Sequence, residues 1–576
     1  MPKLLEAARW DQTCSPFPLR SQWNTPPRDW HHHYPDEVPP ALEYPSLRTE
    51  QLLLHSAEQY SQRTAVRYYR TNWTYAELLT RIRQVAGNLQ RLGVQGGDRV
   101  LMVLPNSPDF VVAWFATHWL GAEVVPANPL LSANELHQLI ECCRPRAVIG
   151  LDLKLAPVIE ATQRCPVESL IVSSLSGHLP FYMRWPYRLK SRFSAESTAG
   201  CAARVLSFDE LLAPTAPEID QPLTTDVDQT AVLQPTGGTT GTPKVAILSH
   251  ANLQANVAQL HVWSGLNPGT EVVLSVLPFF HVFGATVAML SPLAGGATLL
   301  LQARFCPRRI CKVMLQRRPN VAPMVPFMFA SLCREMERRR RNIKGLEFCF
   351  SGASALSSKV RQEFQERTGA TIFEGFGLSE ASPVTHANPP DDTVRPGTIG
   401  LPLPGTDARV VDLETGLCQV ARGEVGELII RGPQVMQGYL NNPEETSRML
   451  RNGWLHTGDL ARRDADGFFT LVDRKKDMII SAGLNIYPTE VEEVLAEHSS
   501  VAECAVIGTP DELYGEVVTA YVVLAPGQAV NDEELRSHCK KQLAAYKVPR
   551  IIEVRDELPK NFLGKVRRID LRSKAA

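Results

Sequence analysis

Short β-branched runs alternate with helical patterns in the first half of this chain, and that alternation constrains the fold more than any other feature. Five of these runs are typical of buried strands: RVLMVLP (99–105), RAVIGL (146–151), SLIVSS (169–174), EVVLSVLP (271–278) and GATLLL (296–301). Between the runs lie patterns such as the stretch from Thr74, whose apolar residues recur at helix spacing. Strand–helix alternation builds parallel sheets that are covered by helices on both faces. The chain is therefore predicted to be an α/β protein.

The texture changes past residue 400, where short strands punctuated by glycine are followed by a last compact α+β stretch. A chain of 576 residues is too long for one hydrophobic core. We therefore predict a large, multi-lobed N-terminal domain with parallel β-sheets covered by helices and a small β-rich lobe. A small α+β domain is predicted to follow it.

Charge and cysteine usage exclude several classes of protein. The chain has 60 Lys and Arg against 61 Asp and Glu, so it has no overall attraction for nucleic acid. We interpret the basic run ERRRRNIKG (337–345) as a solvated helix end, and we expect no nucleic-acid partner. The 12 cysteines include no C-x-x-C pair, which predicts neither a zinc site nor a disulfide framework. The first 20 residues lack the apolar core of a signal peptide, so a cytoplasmic location is expected.

Two segments raise the question of membrane contact. Residues 272–303 carry no Asp, Glu, Lys or Arg, which is long enough to span a bilayer. Proline and glycine divide this segment into pieces of strand and short-helix length, so we predict a buried core instead. In LPFYMRWPYRLKSRF (179–193), four basic residues are interleaved with five aromatic residues. This mixture is typical of a peripheral membrane contact, although a packed loop is equally compatible with it.

The stretch TGGTTGTPK (236–244) has the composition of an anion-binding loop. Glycine lets several backbone N–H groups point to one place, threonine adds hydroxyl donors, and Lys244 adds a positive charge. The spacing does not fit the nucleotide-hydrolase P-loop, because Val245 stands where a magnesium-binding hydroxyl is required. A flexible surface turn is the alternative interpretation.

Four further motifs follow this loop in a fixed order. They are FFHVFG (279–284), EGFGLSE (374–380), GWLHTGDL with VDRKKDMIISAGLNIYPTEVE (453–492), and LPKNFLGKVRR (558–568). Together they resemble the adenylate-forming superfamily of acyl-CoA synthetases, adenylation domains and luciferases, from about residue 45 to 570. Within it, the bacterial long-chain fatty acid–CoA ligases look most similar.

The resemblance implies a role for each motif in ATP binding. The loop would hold the β- and γ-phosphates with Thr236, Gly237, Gly238, Thr239, Thr240, Gly241 and Lys244. The adenine slot would be formed by Gly352, Ala353, Glu374, Gly375 and Phe376. Ser379 would contact the α-phosphate, and Glu380 would hold Mg²⁺. Asp459 and Arg474 would bind the ribose.

The resemblance also implies a two-step reaction with ATP, Mg²⁺ and coenzyme A as co-substrate. A fatty acid, of the long-chain class by this resemblance, would first become an acyl-AMP, with Lys565 bridging carboxylate and phosphate oxygens. The small domain would then turn about Lys476 and bring the loop with Ser481 and Gly483 to the site. The resemblance therefore implies domains at residues 1–475 and 476–576, while a homodimer is left open.

His281 has two interpretations. A lone histidine in an apolar run is commonly a satisfied core residue. The resemblance instead implies a place at the carboxylate end of the acyl pocket, with Phe280 and Phe283 as walls, and makes His281 a catalytic candidate beside Lys244, Glu380 and Lys565.

Three alternatives to a fatty acid ligase stay open. They are a ligase for an aromatic or other carboxylic acid, an enzyme that loads a carrier protein through acyl-AMP, and an inactive acyl-adenylate or lipid-binding protein.

Overall fold

The computed structural model describes residues 19–20, 28–195, 203–214, 216–224, 226–236, 243–390, 393–482, 484–511, 513–560 and 564–575. These residues form two compact units. The first contains the described residues of 1–407 and 431–455, and the second contains those of 408–430 and 456–576. The predicted domain boundary at 475/476 lies inside the second unit and stays a prediction, because compactness does not reveal which part of a chain moves.

The secondary structure is a mixture of helices and short strands. Within the described residues, the first strands are β1 (Leu19–Arg20), β2 (Tyr44–Pro45), β3 (Thr64–Tyr68), β4 (Thr71–Thr74), β5 (Arg99–Val103), β6 (Glu123–Pro126), β7 (Ala147–Leu151), β8 (Ser169–Ser173), β9 (Arg204–Ser207), β10 (Thr230–Thr236), β11 (Lys244–Ser249), β12 (Val272–Ser275), β13 (Thr298–Leu301), β14 (Val321–Met324), β15 (Phe348–Ser351), β16 (Thr371–Gly377), β17 (Val384–Ala387) and β18 (Leu401–Pro402). The later strands are β19 (Asp407–Val411), β20 (Gly426–Arg431), β21 (Gly438–Tyr439), β22 (Leu450–Arg451), β23 (Trp454–Arg463), β24 (Phe469–Arg474), β25 (Ile479–Ser481), β26 (Leu484–Ile486), β27 (Val501–Asp511), β28 (Gly515–Leu524) and β29 (Ile551–Val554).

The helices of the same residues are α1 (Thr49–Gln59), α2 (Tyr75–Arg91), α3 (Pro108–Trp119), α4 (Ala133–Cys143), α5 (Leu155–Arg164), α6 (Phe181–Ala195), α7 (Phe208–Leu212), α8 (His250–Ser264), α9 (Val282–Ala285), α10 (Ser291–Ala294), α11 (Pro307–Arg317), α12 (Pro326–Arg338), α13 (Ser358–Thr368), α14 (Pro443–Met449), α15 (Pro488–Ala496), α16 (Asp532–Lys540) and α17 (Arg568–Ala575). One turn of π-helix, Thr286–Leu290, joins α9 to α10.

Two large sheets dominate the first unit. In the described residues, one has the order β21-β11-β10-β6-β5-β7-β8-β9 and the other the order β18-β17-β16-β15-β14-β12-β13-β3-β4. Their central strands are parallel, as predicted, and so is the edge pair β8–β9, whereas antiparallel pairs lie toward the other ends, as where β10 pairs with β11 and β16 with β17. The reason is connection length, because a short turn can join antiparallel strands whereas parallel strands need a crossover.

The five predicted strands are all present as β5, β7, β8, β12 and β13. The helix predicted from Thr74 is α2, and the Thr74 hydroxyl caps it by accepting the Glu77 N–H. The uncharged segment 272–303 forms β12, the short helices around the π-turn and β13, so it is a buried core as predicted. Among the described residues, none of the helices combines the length and apolar character needed to cross a membrane.

The segment 179–193 is mostly a helix, which corrects the alternative of a packed loop. Helix α6 starts at Phe181 and accommodates Pro186 in its interior. Its packed side is held by Tyr187, whose hydroxyl donates to Asp152 Oδ1 at 2.5 Å. The basic run at 337–345 does follow the end of a helix, because α12 ends at Arg338 and the arginines after it are exposed.

The second unit contains two small sheets. In one of them β20 lies between β19 and β23, and β24 pairs with β23. The other contains β25 to β29, with a long antiparallel β27–β28 hairpin at its centre. A separate core of buried apolar residues, including Val491, Leu495, Val518 and Leu535, lies between this sheet and helices α15 and α16.

Candidate active site

The anion-binding loop connects two paired strands in the middle of the first unit. Thr236 ends β10 and Lys244 begins β11, and the two residues are Cα partners in the antiparallel ladder. The Thr236 hydroxyl donates to the Lys244 carbonyl at 3.3 Å. Gly237, Gly238, Thr239, Thr240 and Gly241 lie outside the described residues. The ends of the loop are therefore fixed by a sheet whose neighbouring strands are buried.

The ammonium group of Lys244 is held by a carboxylate from helix α14. Lys244 Nζ lies 2.5 Å from Glu445 Oε1. Glu445 also accepts two hydrogen bonds from Arg448, at 2.6 and 2.8 Å. The pKa of Glu445 is lowered to about 2, first by the bonds from Arg448 and then by Lys244, so the carboxylate is charged at neutral pH.

The Glu380 side chain is held by a neighbouring phenol. Glu380 lies in a short 3₁₀ turn (Ser379–Ala381) that follows β16, and its Oε1 accepts a hydrogen bond from the Tyr439 hydroxyl at 2.8 Å. Burial and the Glu380 charge raise the pKa of Tyr439, which therefore stays a donor. A carboxylate can accept at both oxygens, so Glu380 retains an oxygen for a hard cation such as Mg²⁺.

Three of the residues assigned to the adenine site, Gly352, Gly375 and Phe376, lie at the ends of β15 and β16. A Cβ added to Gly352 would come within 3.0 Å of the Phe283 ring and 3.6 Å of the Gly375 carbonyl oxygen. A Cβ at Gly375 would come within 3.2 Å of the His386 carbonyl oxygen. The absence of a side chain at Gly352 therefore lets the Phe283 ring approach the end of β15, and its absence at Gly375 lets β16 and β17 approach closely. Phe376 contacts the His386 ring edge-on, with 6.0 Å between the centroids.

Two other residues of that group differ in their surroundings. Ala353 is exposed and has a positive φ of 71°. The Glu374 carboxylate is buried and binds the Arg361 guanidinium, and it also accepts the Leu356 N–H at 3.2 Å. Glu374 therefore fixes α13 against β16, and its assignment to the adenine slot stays a prediction.

His281 lies at the start of α9, where its Nδ1 accepts the N–H of Phe283 at 3.3 Å. Burial lowers the pKa of His281 to about 4, so its ring is neutral at pH 7. The residues just before His281 are hydrogen-bonded by two side-chain amides, one on β10 and one in the loop after β5. Gln234 donates to the Phe280 carbonyl at 3.2 Å, and Asn106 accepts the Phe279 N–H at 2.8 Å. The turn that carries His281 is therefore positioned by the ends of β10 and β5.

The second unit brings Asp459, Arg474 and Lys565 together. Asp459 on β23 and Arg474 on β24 are Cα partners, and Arg474 Nε lies 2.9 Å from Asp459 Oδ1. Asp459 is 4% exposed, and its Oδ2 has no hydrogen-bond partner among the described residues. Burial raises the pKa of Asp459, and the charges of Arg474 and Lys565 oppose this. A buried acceptor without a donor fits a ligand hydroxyl, as a ribose would supply.

Lys565 follows a segment outside the described residues (561–563). Its side chain as a whole is exposed, but its ammonium group lies among charged side chains. Loss of water around that group lowers the pKa of Lys565, Arg474 lowers it further, and Asp459 opposes both.

The predicted hinge and thioester-step loop are neighbours in the chain. Lys476 is an exposed residue in the turn between β24 and β25, where the Asp477 N–H donates to the Arg474 carbonyl at 2.9 Å. Ser481 is the last residue of β25 and is buried. Gly483 lies outside the described residues.

One group of side chains with metal-binding potential lies elsewhere in the first unit. Among the described residues, Glu50, His118 and His250 place one ligand atom each within 4.8 Å of one another, and all three are buried. The Arg48 guanidinium is 2.5 Å from Glu50 Oε1, and the Thr49 hydroxyl lies 2.7 Å from His118 Nδ1. Because Arg48 already compensates the carboxylate, we interpret this group as a structural network.

Sequence reasoning missed Tyr439, Glu445, Gln234 and Asn106. A Gly-Tyr pair and an N-capped Pro-Glu-Glu helix start were visible in GYLNNPEET (438–446), but neither pattern specifies a partner more than fifty residues away. Only the pairing of β11 with β21 brings this segment to Lys244.

Parallel sheets with a Gly/Thr loop between two buried strands of the first unit, and a lysine at the end of that loop, are typical of nucleotide-binding enzymes. The family model described as AMP-binding enzyme matches residues 53–440, and the model of the AMP-binding enzyme C-terminal domain matches residues 490–565. The chain therefore belongs to the AMP-binding enzyme family.

Individual relatives match along almost the whole chain. The long-chain-fatty-acid–CoA ligase of Bacillus subtilis is 39% identical over 550 residues, which are 94% of this chain and 97% of that protein. The crystal structure of ATP-bound MatB from Rhodopseudomonas palustris has a TM-score of 0.76 at 28% identity and covers 92% of this chain and 99% of its own. The benzoate CoA ligase from Burkholderia xenovorans has a TM-score of 0.78 at 28% identity, with 91% and 99% covered. The fold class and the superfamily predicted from the sequence are thus confirmed.

Proposed function

We propose that this protein is an AMP-forming acid–CoA ligase that converts a long-chain fatty acid to its coenzyme A thioester. The observation that carries the proposal is the likeness, along nearly the whole chain, to the Bacillus subtilis long-chain-fatty-acid–CoA ligase. ATP and coenzyme A are the substrates that this activity requires beside the acid.

The first step makes the carboxyl group reactive. A fatty carboxylate oxygen attacks the α-phosphorus of ATP, the bond to the β-phosphate oxygen breaks, and pyrophosphate leaves with the electron pair. Lys244 and the loop ends at Thr236 would stabilise the charge of the leaving pyrophosphate, and Ser379 would contact the α-phosphate. Lys565 would bridge the carboxylate and the phosphate, which otherwise repel each other. Asp459 would accept the ribose hydroxyls at its unpartnered Oδ2.

Glu380 is the proposed ligand for Mg²⁺. A bound Mg²⁺ supplies positive charge to phosphate oxygens, and a half-buried carboxylate held at one oxygen by Tyr439 suits it. His281, neutral at pH 7, would line the carboxylate end of the acyl pocket without placing a competing cation there.

The second step releases AMP. The coenzyme A sulfur attacks the acyl carbon, the bond from that carbon to the AMP oxygen breaks, and AMP leaves. We propose that residues 476–576 move as a domain about Lys476 between the steps, so that Lys565 withdraws and the Ser481–Gly483 loop serves thioester formation.

ATP–pyrophosphate exchange with a panel of carboxylic acids, followed by a thioester assay with coenzyme A, tests the assignment. We expect exchange and thioester formation to be faster with long-chain than with short-chain fatty acids, since an acyl pocket gains about 0.8 kcal/mol per buried methylene. No exchange with any acid would refute the enzyme and leave an acyl-adenylate or lipid-binding protein. Exchange without thioester formation would indicate a carrier protein as acceptor.

A ligase for an aromatic acid is the second candidate. The observation that favours it is the structural likeness to the benzoate CoA ligase. Preference for benzoate over all fatty acids in the same panel would establish it and replace the fatty acid proposal.

We also propose a peripheral contact of α6 with anionic membranes. Phe181, Trp185 and Leu189, spaced by four residues on one face of the helix, are 76%, 72% and 46% exposed. Arg188 and Lys190 are exposed on the same helix, which has no acidic residue. The combination of aromatic and basic side chains suits the headgroup region of a bilayer. A homodimer stays a prediction.

A further inference from the structure

The lysine proposed to bind the leaving phosphates already has an anionic partner inside the protein. Lys244 Nζ and Glu445 Oε1 are 2.5 Å apart, and their side chains are only 25% and 14% exposed. The same Glu445 oxygen also accepts the Arg448 Nη2 bond at 2.6 Å. The Lys244 ammonium group is therefore already paired with a carboxylate before any phosphate binds.

Backbone contacts determine the position of this pair. Strand β21 pairs with β11, and just beyond it the Leu440 N–H donates to the Val245 carbonyl at 2.8 Å. The Asn442 side chain then caps α14 by accepting the Glu445 N–H at 3.0 Å. Helix α14 starts shortly after β21, which pairs with the strand that begins at Lys244. Its capped first turn therefore brings the Glu445 carboxylate close to Lys244, and the contact is built into the fold.

We propose that Glu445 is a positioning residue that holds Lys244 as its counter-ion and competes with the terminal phosphates of ATP for it. This rests on the proposed role of Lys244 in phosphate binding. A ligand with β- and γ-phosphates must draw the ammonium away from Glu445 or share it, and the carboxylate repels the phosphates at the same time. AMP has neither phosphate and meets no such competition.

The consequence for the reaction is a faster exit of pyrophosphate. Once the bond to the α-phosphate has broken, the Glu445 carboxylate can reclaim Lys244 while the product leaves. The Glu445 carboxylate beside Lys244 thus weakens both the ground-state binding of ATP and the retention of pyrophosphate.

Equilibrium binding of ATP, pyrophosphate and AMP, measured by calorimetry at constant Mg²⁺ and without an acid, tests the proposal. Glu445→Gln keeps the shape of the side chain and removes its charge. We expect the variant to bind ATP and pyrophosphate about two- to fivefold more tightly, the range for a partly exposed ion pair, and AMP as the parent does. Unchanged or weaker ATP binding would overturn the proposal.

Glu444→Gln is the matched control. Glu444 precedes Glu445 in the same first turn of α14 and is exposed, so the substitution makes the same change in net charge. ATP affinity should be that of the parent, and an equal gain in both variants would mean a general charge effect and refute the counter-ion role. If Glu445→Gln does not fold, Glu445→Asp withdraws the carboxylate by one methylene and carries the same expectations.

The variant Lys244→Ala distinguishes the role proposed for Glu445 from the phosphate-binding role proposed for Lys244. Weaker ATP and pyrophosphate binding in Lys244→Ala, with no gain in Glu445→Gln, would refute only the role of Glu445. Parental ATP binding in Lys244→Ala would refute the phosphate role of Lys244 and the counter-ion with it. In the Lys244→Ala background there is no ammonium group that Glu445 could release. Glu445→Gln should therefore not tighten pyrophosphate binding by that route.

Discussion

At the scale of single residues, Asp459 combines a proposed binding role with a cost in stability. It is 4% exposed, Arg474 pairs with one oxygen, and the other oxygen has no partner among the described residues. Burial raises its pKa above the unfolded value, so the ionised group is less favourable in the folded chain at neutral pH. Buried ionisable groups with a perturbed pKa are common at ligand-binding sites.

We therefore expect Asp459→Asn to raise the unfolding free energy at pH 7 while it weakens ATP binding. The stability gain should disappear as the pH falls below the ordinary Asp pKa of about 3.9, because the parent side chain is then neutral in both states. Denaturant unfolding across this pH range and ATP binding by calorimetry measure both effects.

Asp473→Asn is the control for this prediction. Asp473 lies on the adjacent strand, but its carboxylate accepts the Thr489 N–H at 2.8 Å and faces Arg568 at 3.3 Å. Its substitution should lower stability, because it leaves Arg568 with fewer acidic partners. If Asp459→Asn lowers stability as much as Asp473→Asn, Asp459 is a structural residue and not a strained one.

His281 and Glu374 show why residue roles are hard to assign from motifs. The sequence left His281 between a core and a pocket interpretation, and the structure gives a neutral ring with a local capping bond. Glu374 stands in a nucleotide motif, yet its carboxylate binds Arg361. A motif specifies which residues are present, whereas the direction of each side chain depends on contacts with distant strands.

At the scale of elements, α6 gives a prediction about membranes. Phe181→Ser with Trp185→Ser should reduce co-sedimentation with vesicles of phosphatidylcholine and phosphatidylglycerol by about tenfold, since each exposed aromatic side chain inserts apolar area. Arg188→Gln with Lys190→Gln should weaken binding at low salt only, because this term is electrostatic.

Two controls accompany the α6 variants. Leu130→Ser removes an apolar side chain that is 67% exposed elsewhere in the first unit, and it should leave vesicle binding unchanged. Arg184 is kept, because its guanidinium donates to the Leu179 and Gly177 carbonyls and its loss would disturb the helix. Equal pelleting of the parent and the aromatic variant would refute the membrane contact.

At the scale of the whole molecule, the proposed reaction needs more than one arrangement of its parts. In the proposed reaction, Lys565 would act in adenylation and would be replaced at the site by other residues for thioester formation. Lys565→Ala should therefore abolish adenylation and still convert supplied acyl-AMP to thioester. Lys476→Pro, which restricts φ at the predicted hinge to about −65°, should impair one half-reaction much more than the other.

Rapid-quench assays of each half-reaction, with preformed acyl-AMP for the second, separate these outcomes. Lys476→Ala is the matched control at the hinge, because it removes the same side chain without restricting the backbone. Equal loss of both half-reactions in Lys565→Ala would contradict the two-arrangement account.

The sequence by itself determined the architecture and the order of the motifs. The strands β5, β7, β8, β12 and β13 were readable because buried strands need continuous apolar runs, and α2 was readable from its capping residue and periodicity. The motif residues Lys244, Glu380, Asp459, Arg474 and Lys565 were also visible, since their chemistry resides in residue type and local spacing.

Only the tertiary structure decided what these residues touch. The pairing of β21 with β11 brings Glu445 to Lys244 and Tyr439 to Glu380, and the pairing of β23 with β24 brings Arg474 to Asp459. The tertiary structure also shows that the segment 179–193 is mostly a helix with an exposed aromatic face. The physical reason is that hydrophobic periodicity and propensity are local, whereas strand register and ion pairs depend on residues that are far apart in the chain.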